Sequence, residues 1–523
     1  MQKTILVLVV AGVAAAANAS SLDPIGVTLL RATTTNLNGS GVRVGQAEAG
    51  DGVAANWEVN PASIGAATNL FTYIYGTSPY LTVSTTNSYP NSIGSESGHG
   101  GFVAGYFYGI TNFSGFVFGV SNGVATNVAH VDNYEANTFI NYYISGGHSI
   151  SERVVNQSFT FGSYNTGVDQ LYDNYADANE ILFLSGADGQ PIYSPASCYN
   201  GIGVGSLAFT NGPTADGRSK PDIIVSFPSE TSYTTAQVSG AAAILMQAGT
   251  RGDGGSDTNS ATDIRTVKAL LLNGAIKPVG WTNSSSQPLH RHYGAGVLNV
   301  FNSYKQLAGG KRGSNFSTNV PTDTAHLPVA MTNSVPVLSG WNFTNITASV
   351  TKDAVHHYFF NATNSSSNAA FTATITLAWN KQSGQTALNN LNLFLYNCAN
   401  SNLVACSTSL VDNVEHIFML KLPQGRYDLQ VWKAGGAGTV STSETYALAW
   451  EFFSESIGVA KSGTNLNLSW PVYPDGFVVE STANLSSPSW SASSIPSATI
   501  TNNQNKISVG IANTNKFFRL RRP

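Results

Sequence analysis

Two hydrophobic rhythms divide this chain. Between residues 42 and 299, short and nearly unbroken apolar runs recur at 42–47, 128–131, 154–159, 181–185, 202–205 and 223–225. Small and β-branched residues in continuous runs predict parallel strands buried on both faces. Stretches around 100–107, 168–178, 235–247 and 263–273 carry helical spacing, so strands alternate with helices as in an α/β domain with a mainly parallel sheet. After Lys311 the rhythm changes. A Ser/Thr/Asn/Pro-rich stretch at 313–334 reads as a linker. Alternating strand patterns follow at 371–379, 391–396, 416–422, 427–432 and 446–452, separated by turn signals such as Pro423-Gln424-Gly425, and predict a β-sandwich over 335–456. A smaller β module fills 457–523.

The amino-terminal pattern is of another kind. Lys3 precedes an apolar run from 5 to 17, and Ala17-Asn18-Ala19 supplies a small-x-small cleavage site, so 1–19 reads as a bacterial-type signal peptide and the mature chain as starting at Ser20. The run is too short for a membrane span and no later stretch is longer, which predicts a protein exported to the periplasm or medium. The first folded domain is then 20–312. A length of 523 residues suits two to four domains, and 42% hydrophobic residues suffice for sizeable cores. A net charge of −4 gives no electrostatic case for nucleic acid as partner. Of three cysteines, Cys398 and Cys406 flank an Asn/Ser-rich turn and are candidates for a disulfide if their Cβ atoms face each other, leaving Cys198 as a small buried residue. Their spacing does not suggest zinc.

Within the helical stretch ending at Met246, the segment from Glu230 to Gly240 delivers Ser232 to the start of a helix with almost no polar face, hence a buried one. Backbone N–H groups and the positive dipole end at such a terminus suit a developing oxyanion. A nucleophilic serine also needs a base and a group that orients the base. His99 stands in Ser97-Gly98-His99-Gly100-Gly101, where the glycines permit close backbone approach. Glu48 ends the first apolar run, at the carboxyl edge of a strand where α/β sheets place reactive groups. The other eight histidines have no comparable setting.

The order Glu48, His99, Ser232, with these flanks, resembles the subtilisin-like serine proteases, the subtilases. Residues 99–105 match the family's His-Gly-x-x-Val-Ala-Gly segment; Thr231, Ser232, Val238 and Gly240 match part of its serine motif. Residues 154–158, 194–205, 220–223 and 293–299 are similar to further family segments, and the likeness runs from about 22 to 310. It implies peptide hydrolysis through an acyl-enzyme: Ser232 attacks, His99 takes and returns the proton, and Glu48 orients His99. Ser158 would flank the polypeptide substrate. No cofactor is required for the chemistry; structural calcium would fit the family, but the Gly-rich run 253–257 is too loose to name ligands. Nothing bears on oligomeric state, and a monomer is the default.

Three departures qualify the implied function. Glu48 replaces the usual Asp. Glu230 replaces a Gly before the serine. The resemblance also implies an oxyanion-hole Asn after a strand-ending Gly; Gly186-Ala187-Asp188 puts Ala187 there, so Ala187→Asn is expected to restore a donor and raise kcat. An ionised Asp188 only accepts, though a protonated one donates. The resemblance therefore implies a secreted serine endopeptidase; the alternative is a weak or inactive protein of the same fold that serves as an extracellular binding component. The segment 335–454 is similar to the jelly-roll domain that follows some alkaline subtilases, with structural support as its expected role.

Overall fold

The computed structural model describes residues 21–111, 123–322, 324, 327–364, 370–454, 456–492, 495–501, 504–510 and 516–521; the expected signal segment 1–19 lies outside them. The first domain contains strands β1 (Arg43–Glu48), β2 (Asn56–Glu58), β3 (Phe71–Gly76), β4 (Val83–Thr86), β5 (Ser95–Glu96), β6 (His130–Glu135), β7 (Val154–Gln157), β8 (Leu182–Gly186), β9 (Ile202–Ser206) and β10 (Ile223–Val225). Eight of them form one sheet in the order β10-β9-β8-β7-β1-β6-β3-β4, parallel throughout except for the β3–β4 hairpin. The chain first fills one side of β1, with β3 and β4 at the edge and β6 then entering between β1 and β3, and afterwards builds outward on the other side from β7 to β10. The carboxyl ends of β1 and β7 therefore border the crevice in which doubly wound sheets place their sites.

Unbroken apolar runs are required because both faces of the sheet are covered. Phe183 of β8 meets Tyr172 and Tyr175 of the helix Thr166–Asn179, while Leu182 and Leu184, directed to the opposite face, are buried as well. The helix that carries Ser232 runs from Thr231 to Arg251 and ends at Gly252, whose φ of 83° closes it in the left-handed conformation. It packs on β7, β8 and β9 and against the helix Gly98–Phe107, which carries His99. Gly240 allows that last approach: a Cβ there would lie 2.5 Å from Val124 Cβ and 3.1 Å from the Phe107 carbonyl oxygen.

The stretch expected as a linker, 313–334, instead supplies β11 (Phe316–Pro321). It is followed by β12 (Ser339–Thr347), β13 (Lys352–Ala362), β14 (Phe371–Trp379), β15 (Leu391–Asn397), β16 (Leu403–Ser407), β17 (Val414–Leu422), β18 (Gly425–Lys433) and β19 (Ser443–Ser454). These form two antiparallel sheets, β11-β13-β18-β15-β16 and β12-β19-β14-β17, over a shared core of Tyr358, Leu377, Leu393 and Trp450 among others. β14 is buried on both faces. Ala373, Ile375, Leu377 and Trp379 enter the sandwich, whereas Thr374 and Thr376 face the first domain and donate to Asn273 Oδ1, each at 3.0 Å. Ala378, Val414, Ala447 and Ala449 join the first domain's core, and Trp341 Nε1 donates to the Leu307 carbonyl at 3.0 Å. The sandwich thus packs one face into the first domain's core and keeps its own core between its two sheets.

The terminal strands β20 (Gly458–Ser462), β21 (Asn465–Pro471), β22 (Val478–Thr482), β23 (Thr499–Thr501), β24 (Gln504–Gly510) and β25 (Phe517–Arg521) surround a small core of Leu468, Trp470, Val479, Ile507 and Val509. Asp475 ties this module back to the first domain through Asn299 Nδ2 at 2.9 Å and Asn302 Oδ1 at 2.8 Å.

The expected Cys398–Cys406 disulfide is not formed, and Cys198, Cys398 and Cys406 are all free thiols. The β15–β16 register sets Cys406 opposite Phe394, whereas Cys398 lies beyond the end of β15 with its N–H on the Arg426 carbonyl at 2.9 Å. Four residues along a strand is roughly 13 Å, outside disulfide reach. Cys198 is buried as expected, and burial pushes its thiol up to about 12.

Because Gly240 has no room for a methyl group, Gly240→Ala is expected to cost about 1–3 kcal/mol through overpacking. Urea unfolding of the two proteins checks this; equal midpoints would show that the two helices can separate freely.

Candidate active site

Gln46 and Glu48 project from the same face of β1, two residues apart, and both are buried. The Glu48 carboxylate accepts from Gln46 Nε2 at 2.9 Å and contacts His99 Nδ1, also at 2.9 Å. Gln46 Nε2 also donates to the Gly100 carbonyl at 3.0 Å, and Tyr108 OH donates to Gln46 Oε1 at 2.6 Å. Ser97 caps the histidine helix by accepting from Gly100 N at 2.8 Å, which sets His99 in its first turn. The His99 backbone N–H donates to Asp51 Oδ2 at 3.1 Å. Since a carboxylate only accepts, Nδ1 carries the proton of a neutral His99 ring and Nε2 keeps its lone pair.

Two influences on this imidazole oppose each other. Burial works against its charged form, but the Glu48 carboxylate, through charge and hydrogen bond, and Asp51 more weakly, outweigh burial and raise its pKa above the ordinary value. The contact joins a carboxylate that is 1% exposed to a ring that is 30% exposed, so it is partly shielded from solvent.

Ser232 is the second residue of its helix, two positions past the N-cap, a place taken by Glu230, whose side chain makes no capping bond. Among the described residues the Ser232 N–H has no partner, as is usual in a first helical turn. Ser158, just past β7, donates to the Ser232 carbonyl and to Asn156 Oδ1, each at 3.0 Å. It thus supports the serine turn, and its hydroxyl is already committed.

At the end of β8, Gly186 abuts the serine helix: a Cβ there would come within 3.5 Å of Thr231 Oγ1. Ala187 turns away. It is fully buried with Ile192 and Ala196, and its N–H is spent on the Val204 carbonyl at 2.8 Å. Asp188 is the residue that reaches the serine turn, accepting from Thr231 Oγ1 at 2.9 Å and from Asn211 Nδ2 at 3.4 Å. The expectation for Ala187→Asn therefore transfers to Asp188, because an amide at 187 would be forced into an apolar cluster.

Ser232 and His99 line one cleft of about 580 Å³ with Tyr106, Phe227 and Tyr233. Among the described residues no hydrogen bond joins the Ser232 hydroxyl to the His99 ring. Such contacts are often long in unliganded sites. Gln46, Tyr108, Asp51 and Tyr233 were not foreseen as part of the site. The two-residue spacing of Gln46 and Glu48 on a buried strand was the available signal for Gln46; for the others the sequence offers none. In the 253–257 run, Asp253 pairs with Arg251, and Asp257 caps a helix while meeting Lys311 at 2.7 Å, so these carboxylates are committed to cations of the protein and do not fit a calcium site. Among the described residues no group of three or more His, Cys, Asp and Glu gathers as a metal-binding set.

The fold is an α/β domain with a mostly parallel sheet, and one cleft of it is lined by both Ser232 and His99, the latter in contact with buried Glu48. Residues 81–296 match the subtilase family, Peptidase S8, a span that includes His99 and Ser232 and begins after Glu48. The family is one of serine proteases. Among solved structures, one of tripeptidyl peptidase 2 (TPP II) aligns with a TM-score of 0.32 at 11% identity, over 78% of this chain and 45% of that one. Dimeric latent PorU from Porphyromonas gingivalis aligns with a TM-score of 0.14 at 8% identity, over 32% and 17%. The chain thus spans less than half the length of either structure. No curated protein matches the chain.

The raised pKa yields a titration test. NMR of ring-labelled protein is expected to place the His99 titration above the ordinary value of about 6.5. Asp51→Asn should lower it and Glu48→Gln should lower it further, following the order of causes. By linkage, the Glu48–His99 pair stabilises the fold fully below the unfolded-state value and loses that contribution as pH rises through the folded one. A native His99 titrating at or below the ordinary value would contradict this account.

Proposed function

We propose that the chain is an exported serine endopeptidase that hydrolyses polypeptides through an acyl-enzyme. Ser232 Oγ is the nucleophile, His99 Nε2 takes its proton and later gives it to the leaving amine, and Glu48 fixes the His99 tautomer and steadies the imidazolium. The observation that carries this reading is the 2.9 Å contact of buried Glu48 with His99, on the cleft that His99 shares with Ser232. Glu suffices in place of Asp because Gln46 holds its second oxygen and so fixes the longer side chain.

The oxyanion side is the weaker half. The unpaired Ser232 N–H is one donor, at the positive end of a 21-residue helix. Asp188 stands where a second donor is needed, and as a carboxylate it would repel the developing charge. Slow turnover follows from this, and it falls further in acid as His99 takes up a proton. The second reading, a binding protein of subtilase fold with little or no turnover, draws its support from the same Asp188.

A fluorophosphonate probe is expected to label wild-type protein and not Ser232→Ala; absent labelling together with intact casein would favour the second reading. Asp188→Asn should raise kcat at neutral pH by about 10²-fold, the size of effect one oxyanion donor commands. Ala187→Asn should lower stability without that gain. An unchanged kcat in a folded Asp188→Asn protein would mean that another group already serves the oxyanion.

A further inference from the structure

The cleft that holds Ser232 and His99 is walled on one side by rings. Tyr233, next to the serine, stacks on Tyr106 at 5.3 Å between centroids, meets Phe102 edge-on at 5.9 Å, and lies 6.2 Å from the His99 ring. Three neighbours hold this ring, so the wall is set before any ligand arrives. Opposite in the chain, Phe227 follows β10 and is 41% exposed, a large apolar side chain left uncovered on the cleft beside Pro228. The polar lining is sparse: Ser229 and the exposed Glu230 complete it. A concave, mostly apolar space of about 580 Å³ has the character of a ligand pocket.

Its position decides which part of a substrate it receives. On the proposed roles of Ser232 and His99, on which this inference rests, the leaving amine must lie at the His99 ring to collect its proton. The residue bearing that amine then sits over the wall that His99 and Tyr233 share. Ser158 and Asp188, at the ends of β7 and β8, do not line this pocket and flank the serine turn from the other side, which leaves that side to the acyl half. We infer that the pocket of Tyr106, Phe227 and Tyr233 selects a bulky apolar side chain, aromatic or long aliphatic, on the residue immediately after the scissile bond. Glu230 adds rejection of acidic side chains there; because it is exposed, its attraction for a cation is weakened by solvent.

The test uses the full mature chain. Digests of a denatured proteome are sequenced, and two quenched fluorogenic peptides that differ only in Phe or Ala after the cleaved bond are compared. Phe, Tyr, Leu and Met are expected to be enriched, and Asp and Glu depleted, at that position. The Phe peptide should show a kcat/KM about tenfold or more above the Ala peptide, the range one buried apolar group gives in a specificity pocket. Phe227→Ala should shrink that ratio severalfold and Phe227→Leu should recover most of it; the ratio is internal to each protein and does not depend on total activity. Protein that is labelled at Ser232 by fluorophosphonate but shows no preference after the bond, a preference for Lys or Arg there, or selectivity confined to the residue before the bond overturns the pocket assignment alone. Absence of Ser232-dependent labelling overturns the catalytic reading instead.

Discussion

Burial of the serine helix on every side is the constraint on which the rest of the first domain depends. From Thr234 to Gly249 each residue is buried, so the side chains must be small where other elements cross; of the polar ones, Gln247 and Ser239 bond to those elements, Thr234 and Thr235 bond back to the Thr231 carbonyl, and the Gln237 amide has no partner among the described residues. Gln247 accepts from the N–H groups of Asn38 and Gly39, each at 2.9 Å, and donates to the Asn36 carbonyl at 2.6 Å, fixing the loop that leads into β1. Ser239 meets Asn156 of β7 at 3.1 Å. Removing one partner from such a buried pair costs about 1–3 kcal/mol, more than a typical net hydrogen bond contributes. The helix therefore sets β1 and β7, the two strands between which the site opens, and through Gly240 it sets the histidine helix as well.

The same helix terminus creates the tension in the site. Its dipole and the Ser232 N–H favour negative charge beside the serine, which suits an oxyanion and equally suits the Asp188 carboxylate now bonded to Thr231. Glu48 and Asp51 stand beside His99 and favour its charged form, while Asp188 stands at the start of the serine helix. This balance favours the imidazolium that follows proton transfer and disfavours the oxyanion formed with it. The attacking half and the receiving half of the proposed chemistry thus answer to opposite electrostatic demands.

Much of this was legible in the sequence because buried parallel strands and an all-round apolar helix leave unmistakable patterns. The runs at 154–159, 202–205 and 223–225 became β7, β9 and β10 with small shifts of boundary. What escaped was set by tertiary partners. Thr374 and Thr376 alternate with apolar residues as a solvent-facing strand would, yet they face Asn273, since a hydroxyl can serve a buried polar group as readily as water. The 313–334 stretch has the composition of a linker, and β11 forms there because the edge of β13 offers unpaired groups. Ala187 was placed at the oxyanion position by counting from Gly186. A count along the chain does not reveal that the chain turns after β8 and carries the next side chain, Asp188, to Thr231 at the start of the serine helix.

The packing of the sandwich into the first domain's core changes what the carboxyl-terminal sandwich does for the site. Asp412 of the sandwich accepts from the Ser219 N–H at 2.7 Å, and Ser219 precedes Lys220-Pro221-Asp222. Burial works to raise the Asp222 pKa, but Lys220 and Lys268 outweigh it and hold the carboxyl below the ordinary value; the Asp222 carboxylate also accepts from Gly203 N of β9 at 2.7 Å. From Asp222 the chain runs directly through β10 to Phe227, Glu230 and Ser232. A buried charge pair is costly to leave half made. The register of β10, and with it the position of the serine loop, is therefore held from both sides, by β9 within the first domain and by Asp412 from the sandwich. In physical terms the sandwich is part of the wall against which the serine loop is positioned, and structural support and support of the site are here the same interaction.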